Sequence, residues 1–222
     1  FPTIPVKDES AGYPVLRIFC VGRNYAAHAA EMGVEVDREA PFYFTKTPLH
    51  SVLSGATIPY PPKTENYHYE MELALVIGKP VFRASKQEAA EAIWGYGCAL
   101  DMTRRDLQLV SRSKQRPWDT GKDVEQSAVF AELTKAGDFG AVGDQRIHLE
   151  VNGTTRQDST LSMLIHNCID VVADLSKFYH LAPGDVIMTG TPEGVGAVVA
   201  GDVITGGIDG LAPIKLTLGA AE

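Results

Sequence analysis

The sequence has few cysteines, no long apolar run and no excess of basic residues, and each shortage excludes a class of protein. Cys20, Cys98 and Cys168 are spread over 222 residues without a Cys-x-x-Cys pair, which predicts reduced, buried thiols rather than a disulfide framework. The longest apolar stretches, such as Leu73–Ile77, are far too short to cross a bilayer. The net charge of −8 argues against a nucleic-acid-binding surface, which requires clustered Lys and Arg.

The remaining composition is that of an ordinary globular protein. Hydrophobic residues make up 45% of the chain and charged residues 22%, which is sufficient for a sizeable core. No basic-then-apolar leader opens the sequence, so we expect a cytoplasmic protein. The negative charge does not exclude an anionic substrate, because a bound cation or a local group of Lys and Arg can outweigh it.

Short strands with few helices dominate the chain. Residues 1–14 are rich in proline and polar residues and predict an N-terminal arm, whereas residues 15–222 are expected to form one catalytic domain. Strands are predicted at Val15–Val21, Pro41–Lys46, Glu70–Ile77, Gly95–Leu100, Arg146–Val151, Thr154–Gln157, Val186–Met188, Gly201–Thr205 and Pro213–Leu218. Because the strands do not alternate regularly with helices, we expect a mixed α/β, mostly β fold rather than a doubly wound sheet.

Helix and turn signals complete this prediction. Helices are predicted at Tyr25–Met32 with Asn24 as the cap, at Ser85–Trp94 with a Ser85/Glu88 capping box, and at Ser162–Leu181. Asn152-Gly153 predicts a tight hairpin turn. Loop followed by strand is expected over Asp119–Phe130, and three prolines between Pro59 and Lys63 argue against a regular element there.

Three acidic residues are the first candidates for a functional site. Glu70 and Glu72 lie two apart on a predicted strand, so both side chains face the same side. A solvated strand face would explain this pair by itself. Asp101 follows a buried strand, however, where an unpaired carboxylate is costly. Three carboxylates without a thiolate suit the hard ions Mg²⁺, Mn²⁺ or Ca²⁺.

His28 and Glu31 form a candidate acid–base pair. On the predicted helix they lie three residues apart and share a face. A carboxylate beside an imidazole orients the ring and raises its basicity, as a water-activating base requires. An ordinary helix-surface pair has the same spacing, and spacing alone favours that plainer interpretation.

Basic and amide side chains follow Asp101. Arg105, Gln108 and Lys122 near a metal held by carboxylates would suit a substrate with carboxylate and carbonyl oxygens. A solvated basic face is the plainer interpretation for the neighbouring Arg104 and Arg112.

The glycine-rich segment Thr189–Gly196 permits close backbone approach to a ligand. It lacks the Gly-Lys-Ser/Thr ending of a phosphate-binding loop, so nucleotide binding is not supported. By itself, the segment predicts a structural turn.

Together and in this order, the segments resemble the fumarylacetoacetate hydrolase family. The resemblance extends from about Val15 to the C-terminus, and the short length resembles the acylpyruvase and fumarylpyruvate hydrolase branch. The matching segments are Gly22–Tyr25 with His28, Tyr69–Leu73, Gly95–Gln108, Asn152-Gly153 and Thr189–Gly196. The resemblance implies a β-roll with small flanking helices and a homodimer.

The resemblance also implies roles for individual residues. The implied metal ligands are Glu70, Glu72 and Asp101, for Mg²⁺ or Mn²⁺, with Ca²⁺ also compatible. The implied catalytic residues are His28, Glu31 and Lys122, and the implied substrate contacts are Arg105, Gln108, Thr191 and Lys46. His50 is either a further substrate contact or a surface histidine.

The implied activity is metal-dependent hydrolysis of a carbon–carbon bond in a small anionic diketo acid. The best candidate is fumarylpyruvate, cleaved to fumarate and pyruvate in the catabolism of aromatic compounds, with His28 deprotonating the attacking water. Two alternatives stay open. One is an oxaloacetate decarboxylase, or an isomerase/decarboxylase of unsaturated dicarboxylates, on the same fold. The other is a non-catalytic small-acid binding protein, which the intact acids and base disfavour.

Overall fold

A computed structural model describes residues 1–33 and 40–221. Most elements in this part of the chain are short strands, with six short α-helices and two single-turn 3₁₀ helices between them. The strands are β1 (Thr3–Ile4), β2 (Tyr13–Pro14), β3 (Arg17–Gly22), β4 (Phe42–Lys46), β5 (Ser51–Leu53), β6 (Thr57–Tyr60), β7 (Tyr67–Tyr69), β8 (Met71–Ile77), β9 (Ile93–Asp101), β10 (Thr103–Arg104), β11 (Ala128–Phe130), β12 (Thr134–Lys135), β13 (Arg146–Val151), β14 (Thr154–Thr160), β15 (Asp185–Met188), β16 (Gly196–Val198), β17 (Val203–Ile208) and β18 (Ile214–Ala221).

The helices connect the strands and are short. The α-helices are α1 (Ala26–Glu31), α2 (Lys86–Ala92), α3 (Arg105–Ser113), α4 (Asp119–Lys122), α5 (Ala136–Phe139) and α6 (Cys168–Leu175), and the 3₁₀ helices are Pro48–His50 and Leu161–Met163. In the described part of the chain, none is long and apolar enough to cross a membrane. The predicted mixed, mostly β fold is confirmed.

Two sheets form the body of the protein. The large sheet has the order β4-β3-β15-β8-β9-β11-β5, with β12 attached to β9. A five-stranded sheet has the order β14-β13-β17-β18-β6, and a small sheet joins β10, β7 and β16. Because β8 and β9 are antiparallel, the start of β8 lies beside the end of β9. Glu72 and Asp101 are therefore brought to the same end of the large sheet.

Strand β8 is buried on both faces, which explains its uninterrupted apolar sequence. Leu73, Leu75 and Ile77 belong to a core shared with the five-stranded sheet and α6. Ala74 and Val76 face a second, smaller core on the opposite side. The difference in side-chain size between the two faces fixes the register of β8, since a slip by one residue would turn the larger side chains towards the smaller core.

The N-terminal segment packs against that smaller core. Ile4, Val6 and Tyr13 are buried in it, and the Tyr13 hydroxyl donates a hydrogen bond of 2.7 Å to the carbonyl of Ile77. Residues 1–14 are thus held by apolar contacts and a side-chain hydrogen bond. The division into an arm and a domain over 15–222 stays a prediction, and residues 34–39 and 222 of that range lie outside the described residues.

Two local predictions agree with the structure. Ser85 caps α2 in a capping box with Glu88. Each side chain accepts a hydrogen bond from the other residue's backbone amide, which would otherwise lack a partner at the helix start, so the pair specifies where the helix begins. Asn152 and Gly153 have φ angles of 52° and 75°, as a type I′ hairpin turn requires.

Asn24 is not the cap of α1, contrary to prediction. Tyr25 occupies that position without a side-chain hydrogen bond. The Asn24 amide instead donates to the carbonyls of His166 and Thr189, both at 2.8 Å. Long-range hydrogen bonds have taken the side chain away from its local role.

Three other secondary-structure predictions were wrong. The predicted helix over Ser162–Leu181 is only Cys168–Leu175, because Asn167 caps a new start there. Strand β6 includes Pro59, which is tolerated because β6 is the edge strand of its sheet. Asp119–Lys122 is a short helix rather than loop.

Candidate active site

Glu70, Glu72 and Asp101 form a buried acidic cluster at the end of the large sheet where β8 begins and β9 ends. One carboxylate oxygen from each lies within 4.8 Å of those of the other two, and the residues are 4%, 1% and 0% exposed. Glu70 lies just before β8 rather than in it, and its carbonyl accepts a hydrogen bond from the amide of Asp101. The predicted convergence of the three acids is therefore observed in the structure.

Lys122 and Lys46 bring positive charge to this cluster. The Lys122 ammonium lies 2.7 Å from Glu70 Oε2 and 2.6 Å from Asp101 Oδ2, and it donates to the Thr103 hydroxyl at 2.9 Å. Burial opposes its charge, but Asp101 and Glu70 outweigh burial and raise the pKa of Lys122. Lys46 Nζ lies 2.9 Å from Asp101 Oδ1. Both amines thus lie against carboxylates of the cluster.

A close approach between two helices places Lys122. Gly121 in α4 packs against the backbone of Gln108 in α3, and a Cβ on Gly121 would lie 2.7 Å from the Gln108 amide nitrogen. Only glycine allows this packing. The contact directs Lys122, the last residue of α4, towards the acids.

Arg105 and Gln108 extend the site from the first turns of α3. The Arg105 guanidinium forms an ion pair with Glu70 and donates to the side-chain oxygen of Gln108. Burial opposes ionisation of Glu70, but Lys122 and Arg105 together hold the pKa of this carboxyl well below its usual range. Glu70 is therefore a stable anion.

His28 and Glu31 lie on α1 at the side of the same pocket. His28 Nδ1 is 3.3 Å from Glu31 Oε2, and His28 is 6% exposed. Burial lowers the pKa of His28, although Glu70 and Glu31 act in the opposite direction. The ring is therefore neutral near pH 7, and a proton on Nδ1 facing Glu31 leaves the Nε2 lone pair free to accept a proton.

The glycine-rich segment Thr189–Gly196 holds the acids from the backbone. The Gly190 amide donates to Glu72 Oε2 at 2.8 Å, and the Gly194 amide lies 3.2 Å from both oxygens of Glu31. Gly190 has a φ of 102°, a conformation that glycine adopts without strain. The segment, predicted as a structural turn by itself, thus positions two predicted site residues.

One pocket joins most of the predicted residues. Its empty volume is about 470 Å³, open to solvent. The predicted site residues that line it are His28, Glu70, Glu72, Arg105, Gln108, Lys122 and Thr191. Lys46 and Asp101 lie behind this wall, and Glu31 contacts it through His28. His50 is elsewhere and pairs with Asp123 at 2.8 Å.

Several residues of the pocket were not singled out from the sequence. Behind the pocket wall, Thr103 accepts a hydrogen bond from Lys122 and Ser127 accepts one from Lys46, and isolated hydroxyl residues give no sequence signal for such a role. The other residues that line the pocket include Arg23, Met32, Phe44, Leu109, Arg112 and Trp118. The Gly22–Tyr25 motif pointed to Arg23 only as part of a family pattern.

The acidic cluster fits a divalent cation. Asp101 Oδ1 is buried and, within the described residues, accepts no hydrogen bond of good geometry, because Lys46 directs its protons to the Met102 and Lys122 carbonyls and the Ser127 hydroxyl. Burial, Asp101 and Glu70 raise the pKa of Glu72 well above its usual value. A hard cation among these oxygens would relieve both penalties.

The fold and the cluster define a buried site suited to a divalent cation, beside a neutral histidine. Comparison with known proteins identifies the family: the model described as fumarylacetoacetate (FAA) hydrolase C-terminal matches residues 17–218. The chain therefore belongs to the fumarylacetoacetate hydrolase family.

Individual relatives narrow the comparison. The chain is 59% identical over 194 residues to a fumarylpyruvate hydrolase of a Ralstonia species, covering 86% of this chain and all of the relative. It is 38% identical over 199 residues to an oxaloacetate tautomerase of Escherichia coli, covering 89% and 90%. A crystal structure of fumarylpyruvate hydrolase from Pseudomonas aeruginosa with Mn²⁺ and pyruvate superposes with a TM-score of 0.94 at 43% identity, covering 99% and 96%.

Proposed function

We propose that this protein is a metal-dependent hydrolase that cleaves the carbon–carbon bond of an acylpyruvate, with fumarylpyruvate as the substrate and fumarate and pyruvate as the products. The observation that carries the proposal is the buried acidic cluster of Glu70, Glu72 and Asp101, which shares one pocket with the neutral His28. The 59% identity to a fumarylpyruvate hydrolase supports this substrate.

Glu70, Glu72 and Asp101 would hold Mg²⁺ or Mn²⁺. When bound, such an ion polarises the oxygens of a keto acid and stabilises the enolate that departs from the cleaved bond. The similar fumarylpyruvate hydrolase from Pseudomonas aeruginosa, with a TM-score of 0.94, was solved in complex with Mn²⁺ and pyruvate, which supports the choice of ion.

His28 would activate the attacking water. Its Nε2 takes a proton from water while Glu31 stabilises the imidazolium that forms. The water oxygen bonds to the acyl carbonyl carbon, and the bond from that carbon to the methylene of the pyruvate unit breaks. The electron pair passes to the pyruvate enolate, which gains a proton to give pyruvate, and the acyl group leaves as fumarate.

Lys122 and Arg105 would bind the negative charge that develops on substrate oxygens. Both cations are fixed by carboxylates before substrate arrives, so little reorganisation is needed during the reaction. Gln108 and Thr191 are proposed as supporting substrate contacts. The predicted contact from Lys46 is not made, because its ammonium is buried behind the pocket; we propose that it positions Asp101 instead.

Keto–enol tautomerisation of oxaloacetate is the second candidate, because relatives at 34–38% identity are oxaloacetate tautomerases. That reaction moves a proton but needs no attacking water. The alternatives predicted from the sequence, a decarboxylase and an isomerase, use the same fold. One similar solved structure, at 33% identity, is a 5-carboxymethyl-2-hydroxymuconate delta-isomerase of Mycobacterium smegmatis. The higher identity to the hydrolase favours hydrolysis.

Purified protein should release pyruvate from fumarylpyruvate in the presence of Mg²⁺ or Mn²⁺, and a chelator should abolish the release. Oxaloacetate assayed in parallel, by loss of its enol absorbance and by carbon dioxide release, separates the alternatives. Fast loss of the enol absorbance of oxaloacetate, together with no release of pyruvate from fumarylpyruvate, would favour the tautomerase.

The cellular setting and assembly are also proposals. Three buried free cysteines, Cys20, Cys98 and Cys168, are consistent with a reducing cytoplasm, and aromatic-compound catabolism would supply the substrate. A homodimer is proposed from the resemblance to the family. Light scattering after size-exclusion chromatography tests this, and a monomer at micromolar concentration would contradict it.

A further inference from the structure

Two arginines occupy the outer part of the active-site pocket. Arg23 and Arg112 line the same pocket as Glu70 and His28. Arg23 lies over two aromatic rings, with its Cζ 5.2 Å from the centre of Phe42 and 5.8 Å from that of Trp118. Arg112 donates a hydrogen bond of 3.3 Å to the carbonyl of Met32. Both guanidinium groups are thereby held in place.

These arginines have no acidic partner in the part of the chain that the structure describes. None of the ion pairs within residues 1–33 and 40–221 includes Arg23 or Arg112. Burial lowers the pKa of Arg23, and the charge of the nearby Arg112 lowers it further. Two cations this close repel each other unless an anion lies between them.

The inner part of the pocket has the opposite character. There, Lys46, Arg105 and Lys122 each form an ion pair with Asp101 or Glu70. Among the described residues, Arg23 and Arg112 are therefore the cations of this pocket that lack a carboxylate partner. Aromatic rings connect the two ends: Lys122 Nζ lies 5.0 Å from the centre of the Phe44 ring, and the Phe44 and Trp118 ring centres are 6.1 Å apart. Trp118 in turn contacts Arg23.

This arrangement matches a molecule with an anionic group at each end and a short unsaturated carbon chain between them. Arginine binds carboxylates through two parallel hydrogen bonds. Arg23 has a left-handed backbone conformation, with a φ of 57°, which is uncommon for a residue other than glycine.

We propose that Arg23 and Arg112 bind the terminal carboxylate of the acyl group and so select acylpyruvates that carry a second carboxylate. The proposal rests on the proposed hydrolase function and adds to it a specificity site at the distal end of the substrate. The keto-acid end occupies the inner acidic and cationic cluster, and the aromatic wall contacts the carbon chain.

Steady-state kinetics on two substrates tests the proposal. Fumarylpyruvate carries the terminal carboxylate, whereas acetylpyruvate has the same keto-acid end without it. The variants are Arg23→Gln and Arg112→Gln, with Arg112→Lys to retain the charge. Arg116→Gln is the matched control, because Arg116 is an exposed arginine just after α3 and does not line the pocket.

The expected result is a change in preference. Each Gln variant should lower kcat/KM for fumarylpyruvate by about 10- to 100-fold, the loss expected for a hydrogen bond to a charged group. The value for acetylpyruvate should change by less than about threefold, Arg112→Lys should recover part of the loss, and Arg116→Gln should match wild type. An unchanged preference in both Gln variants, or an equal loss on both substrates, would overturn the proposal.

Failure of the hydrolase function gives a different result, namely no pyruvate from either substrate with wild-type protein. The specificity site is then judged by calorimetric titration with fumarate and with crotonate, in which a methyl group replaces one carboxylate. Tighter binding of fumarate that is lost in Arg112→Gln would support the site. Equal binding of the two acids would reject it.

Discussion

Gln157 is a buried side chain that connects the five-stranded sheet to the active site. It is 0% exposed, and its side-chain oxygen accepts a hydrogen bond of 3.0 Å from the amide of Met71. Its side-chain nitrogen donates to the Thr191 hydroxyl and the Pro192 carbonyl, both at 2.8 Å. Gln157 therefore holds the start of β8 and the glycine-rich segment together.

Replacing Gln157 with Leu should destabilise the protein strongly. Leucine has a similar size but leaves the Met71 amide and the Pro192 carbonyl without their partner in the interior. Each unsatisfied buried group costs about 1–3 kcal/mol, so we expect a loss of about 2–6 kcal/mol in the free energy of unfolding. That is a large part of the roughly 5–15 kcal/mol that stabilises a typical domain.

Urea unfolding followed by circular dichroism measures this loss. Thr155→Val is the matched control, because Thr155 is exposed on the same strand, and its replacement should cost under about 0.5 kcal/mol. The kcat of Gln157→Leu should also fall, since the same segment holds Glu72 and Glu31. If the unfolding midpoints of the two variants coincided, the assigned role of Gln157 would be refuted.

The other predictions concern chemistry and metal binding. His28→Ala should lower kcat by about 10²- to 10⁴-fold while Mn²⁺ affinity in calorimetry stays unchanged, and near-normal kcat would reject His28 as the base. Because burial lowers the pKa of His28 in the free protein below its ordinary 6.5, and the base must be unprotonated, kcat/KM should persist below pH 6.5 and fall only as the pH drops through the lowered pKa; a loss centred above 6.5 would contradict this. Asp101→Asn should weaken Mn²⁺ binding by at least about tenfold, whereas the surface variant Asp209→Asn should not, and equal affinities would remove Asp101 from the ligand set.

The sequence was sufficient to predict elements whose signals are local. The Ser85/Glu88 box placed α2 because both partners lie within one turn. Glu70 and Glu72 were expected on one side of an extended segment, and their carboxylates do lie together with that of Asp101. Side-chain alternation along an extended backbone requires no knowledge of distant contacts.

Features that depend on distant contacts could not be predicted from sequence. Asn24 has the residue type of a helix cap, but hydrogen bonds to residues more than 140 positions away determine its place. Arg112 has the pattern of a solvated helix face, yet it lines the pocket. The position of Arg112 in the pocket follows from the packing of α3 beside α1 and α4. The spacing of residues along one helix does not indicate which neighbouring elements pack against it.

The central claim is that the pocket hydrolyses fumarylpyruvate with a metal held by Glu70, Glu72 and Asp101. The most direct test is to measure pyruvate and fumarate release from fumarylpyruvate with Mn²⁺ present, and again after chelation. The account predicts stoichiometric release of both products that stops with the chelator and returns when Mn²⁺ is restored. No release with Mn²⁺ present, together with rapid keto–enol conversion of oxaloacetate by the same preparation, would contradict it.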